Sequence, residues 1–262
     1  MSKESHMLSI SNVYGHGYDA QQISRLEQLG FNIRPQVSRY MGAQLCRFID
    51  FERGPCLELI QVEDDRAYMD FLPDGMRAYC PGISLVVPST ETIGDYEARE
   101  RHLRPYSLHV NYDGSSDALK PGWNYLNFGI PVVKDTFIWL TAYDEPRPIR
   151  EHLTQHPNRV TEIAGLVFDL ESEDLKELRK LNRGSVSEGS FQIGNVSVWS
   201  KDVLGDVLEL QGKNFPLKAI VLRVENPNYF SSLTENIRYG SFRSQPAVFI
   251  ATSHISWDLV II

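Results

Sequence analysis

A carboxylate interrupts an apolar run early in the chain. The run reads "CLELIQV" over residues 56–62, and its alternation predicts a strand with Leu57 and Leu59 on one side and Glu58 on the other. Because a buried carboxylate is costly unless it is hydrogen-bonded, paired or bound to a metal, Glu58 is the first candidate for chemistry. Its role would be that of a general base or of a ligand anchor. The alternative is a structural carboxylate, bonded to Arg47 of the preceding predicted strand or to a backbone amide.

The position of Glu58 recurs along the chain. Four predicted strands contain "CLELI", "FIWLT", "VLELQ" and "WDLVI", and in each of them apolar residues flank the central position. Strand alternation sends the central side chain to the face opposite those apolar flanks. Three of the four central residues are acidic, which favours a ligand-facing role over a purely structural one. The four residues are Glu58, Trp139, Glu209 and Asp258, on the predicted strands 56–62, 136–142, 206–211 and 256–262.

Helix signals precede these strands and complete a repeat. "DAQQISRLEQLGF" begins with the N-cap residue Asp19 and ends at Gly30, and "SEDLKELRKLN" carries a leucine stripe. The chain is therefore predicted to contain four copies of strand–helix–strand–strand–strand. The segment "DEPRPIREHLTQHPNR" has three prolines and mixed charge, which indicates a boundary. The predicted division is 1–143 for the first pair of units, 144–160 for the connector and 161–262 for the second pair.

This repeat resembles the vicinal oxygen chelate superfamily, the fold of glyoxalases and of a group of dioxygenases. The resemblance rests on "RLEQLGFNI" followed by "LELIQVED" in the first unit, and on "HPNRVTEIAGLVFDL" at the start of the third. It implies an α+β fold in which four βαβββ units form two paired, cup-shaped sheets. It also implies a divalent metal inside a cup, held by a histidine on the first strand of a unit and a glutamate on the last.

The histidines that the resemblance implies are missing from the first strands. The third unit has Glu162 where the family usually has a histidine, and the first unit has a serine, Ser9 or Ser11. Carboxylates alone select poorly for zinc, so we predict that no cofactor is required. The alternative is Mg²⁺ or Mn²⁺, hard cations that prefer oxygen ligands, bound by three carboxylates. Those carboxylates are Glu162, Glu209 and Asp258.

Aromatic residues indicate where a ligand would lie. Phe137 and Trp139 point the same way on the last predicted strand of the second unit. Pockets for small molecules are mostly apolar with a few placed polar groups. We therefore predict a pocket between units one and two, with Glu58 on its wall, Trp139 nearby, and Arg47 and Ser11 as further contacts. The alternative is that these rings pack as ordinary core.

Composition narrows the classes of function. The formal net charge of −8 and the pI near 5.4 argue against partners such as nucleic acid or an anionic membrane. No stretch has the length and apolarity of a signal peptide or a transmembrane helix, and the three cysteines include no C-x-x-C pair, so we expect a cytoplasmic protein with reduced thiols. Nucleotide-binding, serine-hydrolase and zinc-protease motifs do not occur. The expected partner is a small organic molecule, and a homodimer is left open.

Three functions compete at this point. The first is a binding protein or metal-independent enzyme that holds a small organic molecule in the cup of units one and two. The second is a metal-dependent lyase, isomerase or dioxygenase that uses carboxylates as ligands. The third is a scaffold or regulatory subunit whose cups are filled by its own side chains.

Overall fold

The fold is built from two curved, mixed β-sheets with few helices. The computed structural model describes residues 8–16, 19–35, 38–40, 43–111, 121–145, 151–181, 190–203, 214–232, 237–252 and 257–262. Within these ranges the chain has the α+β architecture of paired, cup-shaped sheets, so the predicted fold class is confirmed.

Eight strands form the first sheet. In chain order they are β1 (Ser9–His16), β2 (Ser38–Tyr40), β3 (Gln44–Ile49), β4 (Cys56–Val62), β5 (Gly82–Val86), β6 (Pro105–Asn111), β7 (Gly122–Phe128) and β8 (Phe137–Tyr143). Their hydrogen-bonded order is β2-β3-β4-β1-β5-β8-β7-β6. The first strands of the two units, β1 and β5, are therefore antiparallel neighbours in the middle of the sheet.

Seven strands form the second sheet. They are β9 (Val160–Phe168), β10 (Ser190–Ile193), β11 (Val196–Ser200), β12 (Leu217–Val224), β13 (Ile237–Phe242), β14 (Gln245–Ile250) and β15 (Asp258–Ile261). Their order is β10-β11-β9-β12-β15-β14-β13, with β9 and β12 antiparallel in the middle.

In the part of the chain that the structure describes, α-helices and short 3-10 helices accompany the sheets. Asp19 caps the first helix by accepting a hydrogen bond from the backbone N–H of Gln22 at 2.8 Å, and the buried Ile23 and Leu26 attach that helix to the core. The helices are α1 (Ala20–Gln28), α2 (Asp65–Phe71), α3 (Thr90–Arg99), α4 (Glu151–Thr154) and α5 (Ser172–Leu181), and the 3-10 helices are Arg101–Leu103 and Pro227–Ser232.

The repeat is visible in how each unit closes. In the first, second and fourth units the last strand runs parallel to the first, as β4 does to β1, β8 to β5 and β15 to β12. In the third unit the strand parallel to β9 is β11, Val196–Ser200. The predicted strand 206–211, with its residue Glu209, lies outside the described residues.

One apolar core is shared by both sheets. Leu57 and Leu85 of the first sheet belong to the same buried cluster as Leu166, Ile220 and Leu259 of the second. Alternation turns the neighbouring side chains of these strands to the opposite faces, where two smaller clusters form. Each sheet therefore has one face in the common core and one face outside it; we call the outer faces the first cup and the second cup.

The segment before β9 is hydrogen-bonded to the first unit. The Nδ1 atom of the buried His156 accepts a hydrogen bond from the backbone N–H of Asn32 at 2.9 Å, and its Nε2 donates to the carbonyl of Asp50 at 2.7 Å. The side-chain amide of Asn158 donates to the carbonyl of Leu29 at 2.9 Å. Burial lowers the pKa of His156, which matches a neutral ring with one donor and one acceptor.

Gly30 is required where this segment meets the end of α1. Its φ is +83°, and a Cβ atom built there would lie 2.6 Å from Oη of Tyr229 and 2.9 Å from Cβ of Asn158. Gly75 has a similar φ, +78°, but nothing within 4 Å of its Cβ position.

We expect Gly30→Ala to lower the free energy of unfolding by about 2–5 kcal/mol, the sum of the left-handed strain and of overpacking. Gly75→Ala, which meets the strain alone, should cost only about 1–2 kcal/mol. Urea unfolding followed by circular dichroism measures both variants. Equal losses would show that Tyr229 and Asn158 move aside freely.

Candidate functional site

Glu58 lies on the floor of the first cup. Leu57 and Leu59, its neighbours on β4, are buried in the core between the sheets, so the carboxylate points the other way. In register it lies beside Tyr14 of β1 and Phe48 of β3. It is only 5% exposed, so it is a buried carboxylate as the sequence pattern indicated.

Neutral groups hold the Glu58 carboxylate. The side-chain N–H of Asn12 donates to Oε2 of Glu58 at 2.7 Å. The thiol of Cys46 is also hydrogen-bonded to Glu58, and burial together with this neighbouring carboxylate raises the pKa of Cys46 well above its ordinary value. A thiol that stays protonated is a donor, so the amide and the thiol can each donate a hydrogen bond to this carboxyl group.

A β-bulge carries this hydrogen bonding towards the rim of the cup. The register of β1 against β5 shifts between Ile10 and Asn12, and Ser11 is the extra residue. Its hydroxyl donates to Oδ1 of Asn12 at 2.7 Å and lies 2.7 Å from the hydroxyl of Tyr143 on β8. Ser11 is buried, whereas Asn12 and Tyr143 are half-buried. A continuous chain of side chains thus runs from the rim of the cup to Glu58.

Three aromatic rings form a wall beside this chain. Tyr14 lies across β5 at Gly82, where a Cβ atom would be 2.3 Å from Cε1 of the ring. It can therefore reach Trp139 and Phe137, with ring centroids 5.1 Å and 6.0 Å away. Trp139 is half-buried and Phe137 buried. Two strands separate Trp139 from Glu58, and Tyr14 stands between them.

The Tyr14 hydroxyl is itself unusual. It is buried and has no hydrogen-bond partner among the described residues. Burial raises the pKa of Tyr14 well above its ordinary value, with Tyr68, Cys80 and Glu58 adding to the effect. A neutral phenol beside Glu58 is a donor that a bound molecule or a water could meet.

The deeper part of the cup is filled by the chain itself. The helix α2 and the segment after it, which sequence reasoning missed, fold over the cup and contribute Met76 and Cys80, with Phe71 and Leu72 at the margin. The buried side chains that fill it are Tyr14, Cys46, Phe48, Cys56, Ile60, Met76, Cys80 and Phe137. The accessible part of the cup is therefore the rim around Asn12, Trp139 and Tyr143.

A separate cleft opens far from these residues. It has a volume of about 400 Å³ and lies between α3 and the start of β6. Its lining residues are Gly94, Glu97, Ala98, Arg101, Arg104 and Pro105. The predicted site residues do not line it.

Arg47 does not occupy the position predicted for it. It lies opposite Leu59 on β4, whose side chain is in the common core, whereas Phe48 is the residue opposite Glu58. The register therefore places Arg47 and Glu58 on different faces of the sheet, because adjacent residues of a strand alternate. Asn12 takes the place of the predicted arginine as the partner of Glu58.

Sequence reasoning also missed Asn12 and Tyr143. The signal for Asn12 was present in "LSISNVYG", where two consecutive polar residues, Ser11 and Asn12, break the alternation of a buried strand. Such a break indicates a bulge, which re-aims a side chain. Tyr143 had no comparable signal, because its contact with Ser11 crosses a strand from a distant part of the chain.

The acidic residues of the second cup have other kinds of partner. Asp258 is buried and accepts a hydrogen bond from the backbone N–H of Thr252 at 2.9 Å. Glu162 is paired with Arg223 at 2.6 Å and with Arg53 at 3.4 Å. Each of these two acidic side chains therefore has its own local partners.

These two carboxylates do not converge. Asp258 lies in register with Ala219 of β12, and Glu162 with Arg223 of the same strand. Four residues along a strand correspond to about 13 Å, too far for one metal ion. The centre of this cup is also occupied, since the ring of Trp199 lies across Gly165, where a Cβ atom would be 1.9 Å from it.

The residues present do not make an evident metal site in either cup. Within the described ranges, no three His, Cys, Asp or Glu side chains are grouped closely enough to hold a metal ion. The predicted Mg²⁺ or Mn²⁺ cluster therefore does not form from Glu162 and Asp258. In the first cup the Glu58 carboxylate is held by an amide and a thiol.

Comparison with solved structures defines the class of fold. The dioxygenase LapB from Pseudomonas sp. KL28, a 2,3-dioxygenase, matches with a TM-score of 0.55 and 8% identity over 98% of this chain and 93% of that one. An extradiol ring-cleaving dioxygenase from B. fuscum matches with a TM-score of 0.57 and 11% identity over 98% and 72%. Homoprotocatechuate 2,3-dioxygenase from Brevibacterium fuscum matches with a TM-score of 0.56 and 10% identity over 98% and 80%.

The chain has the vicinal oxygen chelate fold, as its sequence resemblance predicted. At identities of 8–11% this likeness concerns the fold. No protein-family model matches the sequence, and no curated protein matches it. In the part of the chain that the structure describes, none of the helices has the length and apolarity needed to cross a membrane.

The comparison corrects the prediction about cofactors. The solved structures named above are dioxygenases, and dioxygen chemistry in enzymes is carried by a cofactor, non-haem iron among them. The prediction that no cofactor is required is therefore wrong, because the fold's neighbours point to a metal. The donor set in the described residues does not identify where such a metal would bind.

A buried histidine makes the first cup sensitive to acid. His16 is 4% exposed, and its Nε2 lies 2.9 Å from the hydroxyl of Tyr68, between the rings of Tyr14, Tyr68 and Tyr79. Burial lowers the pKa of His16 from 6.5 to about 3. In the unfolded chain the ring takes up a proton near its ordinary pKa, so stability is fully present above that value and declines as the pH falls towards 3.

We expect His16→Gln to lose less stability than the native protein between pH 7.5 and pH 4.5. The difference should be about 3 kcal/mol, since pH 4.5 lies two units below the unfolded pKa of 6.5 and each unit costs roughly 1.4 kcal/mol. Urea unfolding at the two pH values measures it. His102→Gln, at an exposed position, is the control and should keep the native slope. If the free energy of unfolding of His16→Gln fell as much as that of the native protein between the two pH values, His16 would not be the source of the acid sensitivity.

Proposed function

We propose that the chain is an enzyme that acts on a small organic molecule, which enters the first cup at its rim and reaches Glu58, the reacting carboxylate, on its floor. The observation that supports this most is the placement of Glu58: a buried carboxylate held by Asn12 and Cys46 inside an aromatic shell. Such a group is costly to fold unless its charge is used or satisfied.

The chemistry of this carboxylate would be proton transfer or anchoring. A carboxylate that is shielded from water keeps its hydrogen-bonding capacity for a bound molecule. General bases in enzymes work within hydrogen-bond reach of the proton that they remove. In this proposal Glu58 accepts a hydrogen bond, and then a proton, from a hydroxyl or amine of the ligand. The Tyr14 hydroxyl, buried beside it, would donate to a ligand oxygen.

The rim suggests the kind of molecule. Trp139 and Tyr143 are half-buried on the same face, and the rings of Tyr14 and Trp139 form a tilted pair. Apolar walls with few polar groups suit a planar organic molecule that carries a hydrogen-bond donor. Because the deeper cup is filled, the ligand would enter from the side of Asn12 and Tyr143 and present its polar group to Glu58.

A second candidate is oxygenase chemistry on such a molecule. The observation that favours it is the likeness of the fold to extradiol dioxygenases over 98% of the chain, which supports a metal-dependent enzyme better than simple binding. The described residues do not identify a metal site, so we assign no step of the reaction to a metal.

We expect Glu58→Gln to remove turnover or to weaken ligand binding by about 1–3 kcal/mol, the cost of an unmet buried polar contact. Tryptophan fluorescence would follow the titration of catechol and 3,4-dihydroxyphenylacetate as probes, because Trp139 lies at the rim. Glu162→Gln removes the same charge in the second cup and should bind as the native protein does. If Glu58→Gln and Glu162→Gln bound the probes equally well, the role assigned to Glu58 would be contradicted.

Oxygenase chemistry has its own test. Protein purified without a histidine tag would be incubated with Fe²⁺ without oxygen, and oxygen uptake would be recorded after mixing with each probe and air. Uptake that requires both Fe²⁺ and probe, and is absent from Glu58→Gln, would support oxygenase chemistry in the first cup. Oxygen uptake that persists in Glu58→Gln would show that the reaction takes place at another site.

A further inference from the structure

We propose that Ser11 is a positioning residue, which fixes the side-chain amide of Asn12 with its N–H towards Glu58, and that Tyr143 holds Ser11 in place. The proposal rests on the proposed function in one respect, because it concerns the carboxylate to which that function is assigned. It adds three residues that do not touch the ligand's reacting group: Ser11, Asn12 and Tyr143.

The direction of the hydrogen bonds that link Tyr143, Ser11, Asn12 and Glu58 follows from the contact at Glu58. The side-chain N–H of Asn12 donates to Oε2 of Glu58 at 2.7 Å, so the nitrogen is the atom of Asn12 that faces the carboxyl group. The amide oxygen then faces Ser11, whose hydroxyl must donate to it at 2.7 Å. With that hydrogen used, the contact between Ser11 and Tyr143 at 2.7 Å requires the tyrosine to donate. Each of these three hydrogen bonds is therefore donated in the direction of Glu58.

The backbone is shaped for this arrangement. In a regular strand Ser11 and Asn12 would point to opposite faces. The bulge between Ile10 and Asn12 lets both side chains take part in one hydrogen-bonded chain, and Ser11 reaches across β5 to β8 to meet Tyr143. Bulges of this kind are features that re-aim side chains, often next to active sites.

A neighbouring pair of hydroxyls provides a matched control. Ser84 lies opposite Asn12 on β5, and its hydroxyl is 2.8 Å from that of Thr141 on β8. The pair is buried in the same cup and joins the same kinds of groups. Its hydroxyls bond to each other and are not members of the chain from Tyr143 to Glu58.

The test is the side-chain amide of Asn12 in protein labelled with ¹⁵N-asparagine. Its signal is identified by its loss in Asn12→Asp. In Ser11→Ala we expect an altered proton shift and hydrogen exchange that is about threefold to tenfold faster, the range that corresponds to one neutral hydrogen bond. Ser11→Thr keeps the hydroxyl and should restore both. Ser84→Ala should leave both unchanged.

Two outcomes would overturn the proposal. One is an unchanged Asn12 signal in Ser11→Ala, and the other is an equal change in Ser84→Ala, which would indicate general loosening of the cup. If Ser11→Ala does not fold, Tyr143→Phe removes the outer donor and must alter the Asn12 signal in the same direction. The experiment needs no ligand, so a failure of the proposed function, seen as native binding in Glu58→Gln, is distinguished from a failure of this inference.

Discussion

The sharing of one apolar core by two sheets is the constraint on which the rest of the structure depends. Leu57 of the first sheet and Leu259 of the second are buried in the same cluster, so each sheet has one face committed to the interior. Alternation then sends every neighbouring side chain to an outer face. Glu58 and Asp258 owe their orientation to this rule, since the residues on either side of each one belong to that core.

The acidic residues of the two cups are stabilised by different kinds of partner. In the second cup Asp258 is satisfied by the backbone of Thr252, and Glu162 by arginines, while the ring of Trp199 occupies the centre. In the first cup Glu58 is held by a side-chain amide, at the inner end of a chain that begins at the half-buried Tyr143. A buried network of side chains that is fully satisfied makes its surroundings rigid, and the network in the first cup ends at Glu58.

The likeness to extradiol dioxygenases concerns the scaffold and leaves the chemistry to the residues placed on it. A fold hosts many functions, because the function depends on the side chains at a few positions. Here those positions hold residues such as Asn12 and Trp139, and the described residues do not group three metal-ligating side chains. The solved structures compared above are dioxygenases, and this finding overturned the expectation of no cofactor that had been drawn from the missing histidines alone.

Sequence by itself determined the repeat, the fold class and the face on which Glu58 lies, because periodicity and flanking apolar residues are local properties of the chain. Only the tertiary structure decided the partner of Glu58. The register of β3 against β4 turned Arg47 away, and the bulge at Ser11 brought in Asn12. It also decided that Glu162 and Asp258 stay apart, and that Met76 and Cys80 of the segment after α2 fill the deeper cup. Register, bulges and contacts such as Ser11 with Tyr143 depend on pairing between distant segments, and alternation along one strand carries no information about that pairing.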